Sequence, residues 1–299
     1  MQFPLFQPPT EWVMPDGYPD LSHAREVAID LETRDPNLTT MGSGWARKDG
    51  YIIGIAVAVD GDQWYFPIRH ELGSNLDPKT TIRWLQEVCS KDRDYIFHNA
   101  PYDVGWLLAE GVTIQGRIVD TMVVAPLLDE NRFSYALNAI GRDYLQELKT
   151  EKELREGSQA FGIKSKSEMF KLPAAYVGAY AEQDAALTLR LWTHFKGLII
   201  KEDIGDIFDL ELKVLKTIIP MRQRGVRVDL EKAERIKVDL EQREKKLLDE
   251  IKKQSGIAVE LWAAESVSKA FDALGLEYSK TKKTGAPSFT KGFLANHPH

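Results

Sequence analysis

The sequence is short of cysteine, of long apolar runs and of positive charge, and each shortage removes a class of protein. A single cysteine in 299 residues, Cys89, excludes an intramolecular disulfide and any zinc site built from several thiolates. A reducing compartment, the cytoplasm, is the expected location. The N-terminus, MQFPLFQPPTEW, lacks the basic region and apolar stretch of a secretory signal. The most apolar run, Tyr51 to Val59, has nine residues and is interrupted by Gly54. A helix that crosses a bilayer needs roughly 20, so no membrane span is expected.

The formal net charge is -6. A negative total argues against a protein that binds nucleic acid purely by neutralising phosphates with Lys and Arg. It leaves room for an enzyme that reaches phosphates through metal ions. Residues 1–205 carry 21 Lys and Arg against 30 Asp and Glu, whereas residues 206–299 carry 18 against 15. Divalent metals would gather in the acidic part. The remaining composition, 43% hydrophobic with 7 Trp, 10 Tyr and 12 Phe, is that of a globular chain. At roughly 100 to 200 residues per domain, it makes one large or two ordinary domains.

EVAIDLET, Glu26 to Thr33, reads as a strand that alternates at Asp30, Leu31 and Glu32, so Asp30 and Glu32 share a face. A Gly/Asn/Asp-rich loop over 35–50 follows. Two apolar and aromatic runs, 51–59 and 63–68, flank Asp60, Gly61 and Asp62, which is a hairpin signal. Helix, strand and helix are predicted over 77–89, 94–97 and 101–110, with Pro101 starting the second helix and Gly111 closing it. A short strand over 118–121 and two helices over 121–147 come next. Residues 150–171 are polar and read as a loop or lid of broken helix with no visible chemistry. Residues 173–194 form a long helix that carries Tyr180 and Asp184 on one face. The character changes near 205: a helix to Met221, a turn and strand at RQRGVRVD, and a charged helix over 230–253 suggest a second unit. A short helix closed by Gly275 then leads into the Lys/Thr/Gly-rich loop SKTKKTGAPSFT. The ending at HPH has no terminal cap and reads as a cut.

Phosphodiester hydrolysis by paired divalent ions requires several carboxylates around one point. Magnesium takes hard oxygen ligands and leaves places for water and phosphate. Asp30 and Glu32 lie roughly 6 to 7 Å apart along a strand, close enough to serve one such centre. Asp103 sits just inside a helix that follows a strand. Asp184 has Tyr180 one helical turn before it. The phenol, with an ordinary pKa near 10, suits a group that orients the attacking water rather than a base.

DLET at Asp30 to Thr33, HNAPYD at His98 to Asp103 and YAEQD at Tyr180 to Asp184 resemble, in order and spacing, the three motifs of the DEDDy class of 3′→5′ proofreading exonucleases. The resemblance covers most of residues 25–200. Each motif alone is weak, but three in order are specific. Ala179 stands where the sister class carries histidine, which selects the tyrosine variant. Residues 206–299, with RGVRVDLEKAERI and SKTKKTGAPSFT, resemble the start of the thumb that follows this exonuclease in family A, DNA polymerase I-like and phage-type, polymerases. No counterpart of palm or fingers is present, so synthesis by this stretch is not expected, and a separate or missing polymerase portion is an implied partner.

The resemblance implies an RNase H-like α/β domain over 1–205, a mixed sheet with flanking helices, followed by a mostly helical thumb-like segment over 206–299. It implies two divalent ions, Mg2+ or Mn2+, with Asp30, Glu32 and Asp184 at one and Asp30 and Asp103 at the other. Leu31, Thr33, His98, Asn99 and Tyr102 would meet the nucleic acid, as would Lys280, Lys282 and Lys283 at the duplex backbone. The expected activity is release of nucleoside monophosphates from single-stranded or frayed 3′ ends of DNA, in a bacterial or phage-infected cell.

Blander readings exist for each residue. Asp30 and Glu32 alone would pass for a solvated strand edge. Tyr176 reads as a core aromatic and Asp120 as a helix N-cap. Trp64, Trp84, Trp106 and Trp192 fit core faces. Gly42 to Gly44 lacks the GK[ST] of a phosphate loop. The alternatives for the whole are an RNase D-like exoribonuclease with the same site and a catalytically idle polymerase scaffold.

Overall fold

Period-two alternation makes β1 (Glu26–Arg34) the centre of a five-stranded sheet. The computed structural model describes residues 7–163 and 166–298. Parts of the sequence readings for the N-terminus, the 150–171 loop and the final HPH therefore lie outside the described residues. On one side of β1 runs the expected antiparallel hairpin, β2 (Tyr51–Val59) and β3 (Asp62–Pro67), turned at Gly61 with φ 87°. On the other side β4 (Asp94–Phe97) and β5 (Arg117–Asp120) pair in parallel, giving the order β3-β2-β1-β4-β5.

Both faces of this sheet are covered. Val27, Ile29 and Leu31 join a cluster with Ile55, Val57 and Phe97. The single-turn α1 (Leu38–Met41) and a 3₁₀ turn at Trp45–Arg47 lie in the loop after β1. Helix α2 (Pro78–Cys89), capped by Asp77, contributes Leu85 and Val88 to that cluster. Helix α3 (Ala100–Ala109) contributes Val104 and Trp106. Gly105 is required there, since a Cβ would stand 2.2 Å from the buried Trp45 indole.

The opposite face, with Ala28, Ala56 and Ala58, is built from small residues because a long helix lies against it. Helices α4 (Thr121–Leu128), α5 (Leu137–Leu145) and α6 (Lys152–Ala160) lead to α7 (Gly178–Lys201), which packs on β1, β2 and β3. The broken helix read over 150–171 consists of α6 and a 3₁₀ segment, Lys166–Lys171, held in place by the buried Leu154, Met169 and Phe170. One correction applies beside it: the long helix read from 173 starts only at Gly178, after a 3₁₀ turn over Ala174–Tyr176.

Helix α8 (Gly205–Arg224) covers the free edge of β5. Phe208 and Leu212 enter the α7 side of the core and Ile219 the other side. Arg117 stacks on Phe208 and Trp192 and pairs with Asp209 at 2.5 Å, and Lys216 Nζ donates to the Gly116 carbonyl. Covering an edge with a helix removes a row of unpaired backbone groups. The compact units accordingly divide as Met1–Gly225 and Val226–His299, twenty residues beyond the shift in composition at 205.

The second unit contains α9 (Leu230–Ser255), capped by Asp229, and α10 (Ala264–Ala273). It also contains a short hairpin, β6 (Ser279–Lys280) with β7 (Pro287–Ser288), and α11 (Lys291–Asn296). Phe271, Tyr278, Phe289 and Phe293 form its aromatic centre. The strand expected at Arg222 to Asp229 is absent, since α8 runs on to Arg224. The Lys/Thr-rich loop is the turn of that hairpin. Among the described residues no helix is long and apolar enough to cross a membrane.

Candidate active site

Asp30 and Glu32 project from β1 on the face that α7 covers, as their alternation requires. Strand β4 pairs with β1 only as far as Ala28. Beyond that point the Leu31 N–H needs another acceptor, and Asp103 Oδ1 accepts it at 3.1 Å. Asp103 lies in the first turn of α3, and the start of that helix is set by Asp120. The Asp120 carboxylate accepts the N–H groups of Asn99 (2.9 Å), Ala100 (2.8 Å) and Met122 (2.9 Å), so it caps α3 and α4 together. Asn99 takes the left-handed conformation there, φ 75°. A register shift between Glu32 and Thr33 bends the strand beside the site, as bulges near active sites do. Opposite Glu32 stands Gly54, where a Cβ would lie 2.0 Å from the buried Tyr65 hydroxyl.

From α7, Tyr180 and the buried Asp184 face these groups one helical turn apart. The four carboxylates sense one another. Burial first, and then the charge of Asp184, push Asp30 up to about 7. Burial, Asp30 and Asp184 hold Glu32 well above the usual carboxylate range. Asp103 is raised by burial and by Asp30. Burial raises Asp184, while Lys149 and Tyr180 pull it down. Burial and the surrounding carboxylates also raise the Tyr180 phenol, so it keeps its proton and acts as a donor.

The donor chemistry fits hard divalent cations. Burial and mutual charge make the ionised form of each carboxylate unfavourable, which is where a cation has most to offer. As they stand, among the described residues, no three His, Cys, Asp or Glu side chains close on a common point tightly enough to hold an ion. Asp184 Oδ1 is engaged by the Lys149 ammonium.

Thr33 and Tyr102 meet directly, with their hydroxyls 2.6 Å apart. His98 Nδ1 lies 2.9 Å from the Thr121 hydroxyl, and burial lowers its pKa to about 4, so it is neutral. The Asn99 side chain is exposed at the start of α3. Leu31 requires a correction: its side chain points to the opposite face and is 6% exposed in the core, so what it offers the site is its backbone. Lys280, Lys282 and Lys283 are exposed residues of the second unit, on and beside its hairpin. Asp120 caps helices, as expected, and Tyr176 is a core residue. Sequence reasoning missed Lys149 and Lys166, whose ammonium groups lie 4.8 and 4.6 Å from the centre of the Tyr180 ring. Neither belongs to a periodic pattern, and no local signal marks them.

A mixed sheet in this order, with helices on both faces and carboxylates at its central strand, defines an RNase H-like α/β fold. The chain belongs to the 3′–5′ exonuclease family of the family A DNA polymerases, which matches residues 17–200. Among relatives, a DNA-directed DNA polymerase of Pseudomonas phage M6 is 34% identical over 310 residues, covering 100% of this chain and 46% of the relative. The DNA polymerase DpoZ of Salmonella phage PMBT28 is 28% identical, with 85% and 40% covered. The chain thus spans less than half the length of these curated relatives. Among solved structures, the POL domain of Pol1 from M. smegmatis, in complex with DNA primer-template and dNTP, superposes with a TM-score of 0.61. It shares 18% identity, with 92% of this chain and 42% of that one covered. Brucella melitensis NrnC superposes with a TM-score of 0.50 at 18% identity, with 69% and 86% covered. These likenesses are of fold.

Proposed function

We propose that this chain hydrolyses DNA from the 3′ end to nucleoside monophosphates with two divalent ions, Mg2+ or Mn2+, as the proofreading part of a family A polymerase. One observation carries the reading: two same-face carboxylates of β1 are faced by Asp184 and tied through the intervening Leu31 N–H to Asp103. Metal dependence is general in this family. Asp30, Glu32 and Asp184 would hold one ion, and Asp30 and Asp103 the other. Bound ions would supply an acidified water and offset the charge that develops on the phosphate. Tyr180, which keeps its proton, orients the attacking water by hydrogen bonding. The Thr33–Tyr102 pair, Asn99 and neutral His98 grip the terminal nucleotide.

A site that takes one strand end prefers single-stranded or frayed DNA, because stacking and backbone contacts need unpaired bases. Lys280, Lys282 and Lys283 would contact the duplex backbone. The partner implied by the relatives is the rest of a polymerase, and the phage relatives suggest the cytoplasm of an infected cell. The test is digestion of 5′-labelled single-stranded DNA, beside matched RNA, in magnesium and in chelator. A stepwise ladder on DNA that vanishes in chelator and in an Asp30→Ala, Glu32→Ala double variant is expected. Intact DNA under every condition, from folded protein, would overturn the reading, and faster digestion of RNA would transfer it to an exoribonuclease.

A further inference from the structure

Resting on that functional reading and extending it, we infer that Lys149 is a phosphate-binding residue that stands on Asp184 until substrate arrives, and so couples metal binding to nucleotide binding. The Lys149 side chain is 6% exposed and its ammonium pairs with Asp184 Oδ1. Its backbone is anchored on both sides to α7. The Thr150 N–H donates to Gln183 Oε1 at 2.9 Å, and Glu147 takes a two-pronged bond from Arg190, with Nε at 2.9 Å and Nη2 at 2.5 Å. The segment, which lies outside the three motifs, therefore holds the ammonium over the carboxylates of the site.

An ammonium and a metal ion compete for the same Asp184 oxygen, and like charges at that distance repel. An ion held by Asp184 therefore displaces Lys149. A buried ammonium without an anion is costly, and the four-carbon stem swings easily about its fixed backbone. The Tyr180 ring, 4.8 Å from Nζ, keeps the displaced ammonium within the site. The anion that reaches this point is the phosphodiester of the substrate. Lys149 then exchanges one oxygen acceptor, the Asp184 carboxylate, for another, a non-bridging phosphate oxygen, with no bond made or broken. Metal alone binds against Lys149, and metal with nucleotide binds alongside it. By linkage each then strengthens the other.

The experiment measures Mn2+ affinity with and without thymidine monophosphate, by titration calorimetry on the full chain, for the wild type and for Lys149→Met, Lys149→Gln and Lys149→Arg. The charge-neutral variants are expected to bind Mn2+ alone about tenfold more tightly than the wild type, with the enhancement by nucleotide about tenfold smaller. Arginine, which keeps the charge, should retain the wild-type enhancement. Far-UV circular dichroism and melting confirm folding, and glutamine serves if methionine does not fold. Neutral variants that bind Mn2+ no more tightly than the wild type, or that keep the full enhancement, overturn the proposal, as does a wild type that binds neither ligand. Because nothing in this readout is hydrolysed, intact DNA in the digestion assay would sink the exonuclease reading without touching this result.

Discussion

Asp30→Asn should stabilise the metal-free protein at alkaline pH, although it removes a residue proposed to hold both metal ions. Asp30 has an ordinary carboxyl pKa of 3.8 in the unfolded chain and about 7 in the folded one. Between those values the folded state holds a proton that the unfolded state has released, so stability falls as pH rises and the loss is complete above about 7. At about 1.4 kcal/mol per unit, the upper bound at pH 8 is about 4 kcal/mol. Relaxation around a half-buried group in a dielectric near 20 brings this to about 2 kcal/mol. For a domain of this size that is a rise of about 4–8 °C in Tm. The assay is thermal unfolding by circular dichroism in chelator at pH 8 and pH 5, and again in magnesium. Asparagine should melt higher at pH 8 in chelator, with the gap narrowing towards pH 5. In magnesium the order should reverse, since an ion that binds only the folded wild type stabilises it by about 2.7 kcal/mol at a hundred times its Kd. A variant no more stable than the wild type in chelator at pH 8 would refute the claim that burial and the Asp184 charge oppose this carboxylate.

Other perturbations separate structural from chemical roles. Asp103→Ala leaves the Leu31 N–H without its acceptor and should cost about 1–3 kcal/mol in urea unfolding. Asp103→Asn can still accept that bond, so it should keep stability while losing exonuclease rate; equal destabilisation by both would deny the bond its place. Tyr180→Phe should lower kcat by roughly a hundredfold with an unchanged melting curve, and unchanged kcat would remove the phenol from the reaction. Gly54→Ala forces a methyl against the buried Tyr65 hydroxyl, and should destabilise by about 1–3 kcal/mol in the same unfolding assay.

Local periodicity and capping chemistry made much of this protein readable from its sequence. Alternation placed Asp30 and Glu32 on one face, the turn at Gly61 announced the hairpin, and helical spacing joined Tyr180 to Asp184. The cap at Asp120 was equally legible, because a carboxylate before a helix has one favoured use. Contacts made across the fold were not legible. The core takes the Leu31 side chain because both faces of a central strand are covered, which alternation alone does not reveal. Helix α8 joins the first unit through Phe208, Leu212 and Ile219, whose partners lie far along the chain, and tertiary burial outweighs the change in composition at 205. Lys149 reaches Asp184 across 35 positions of sequence. Motif and periodicity nominated the residues proposed to carry the chemistry, and tertiary structure alone decided which ammonium stands among them, because a charge is placed by the anion it must meet in space.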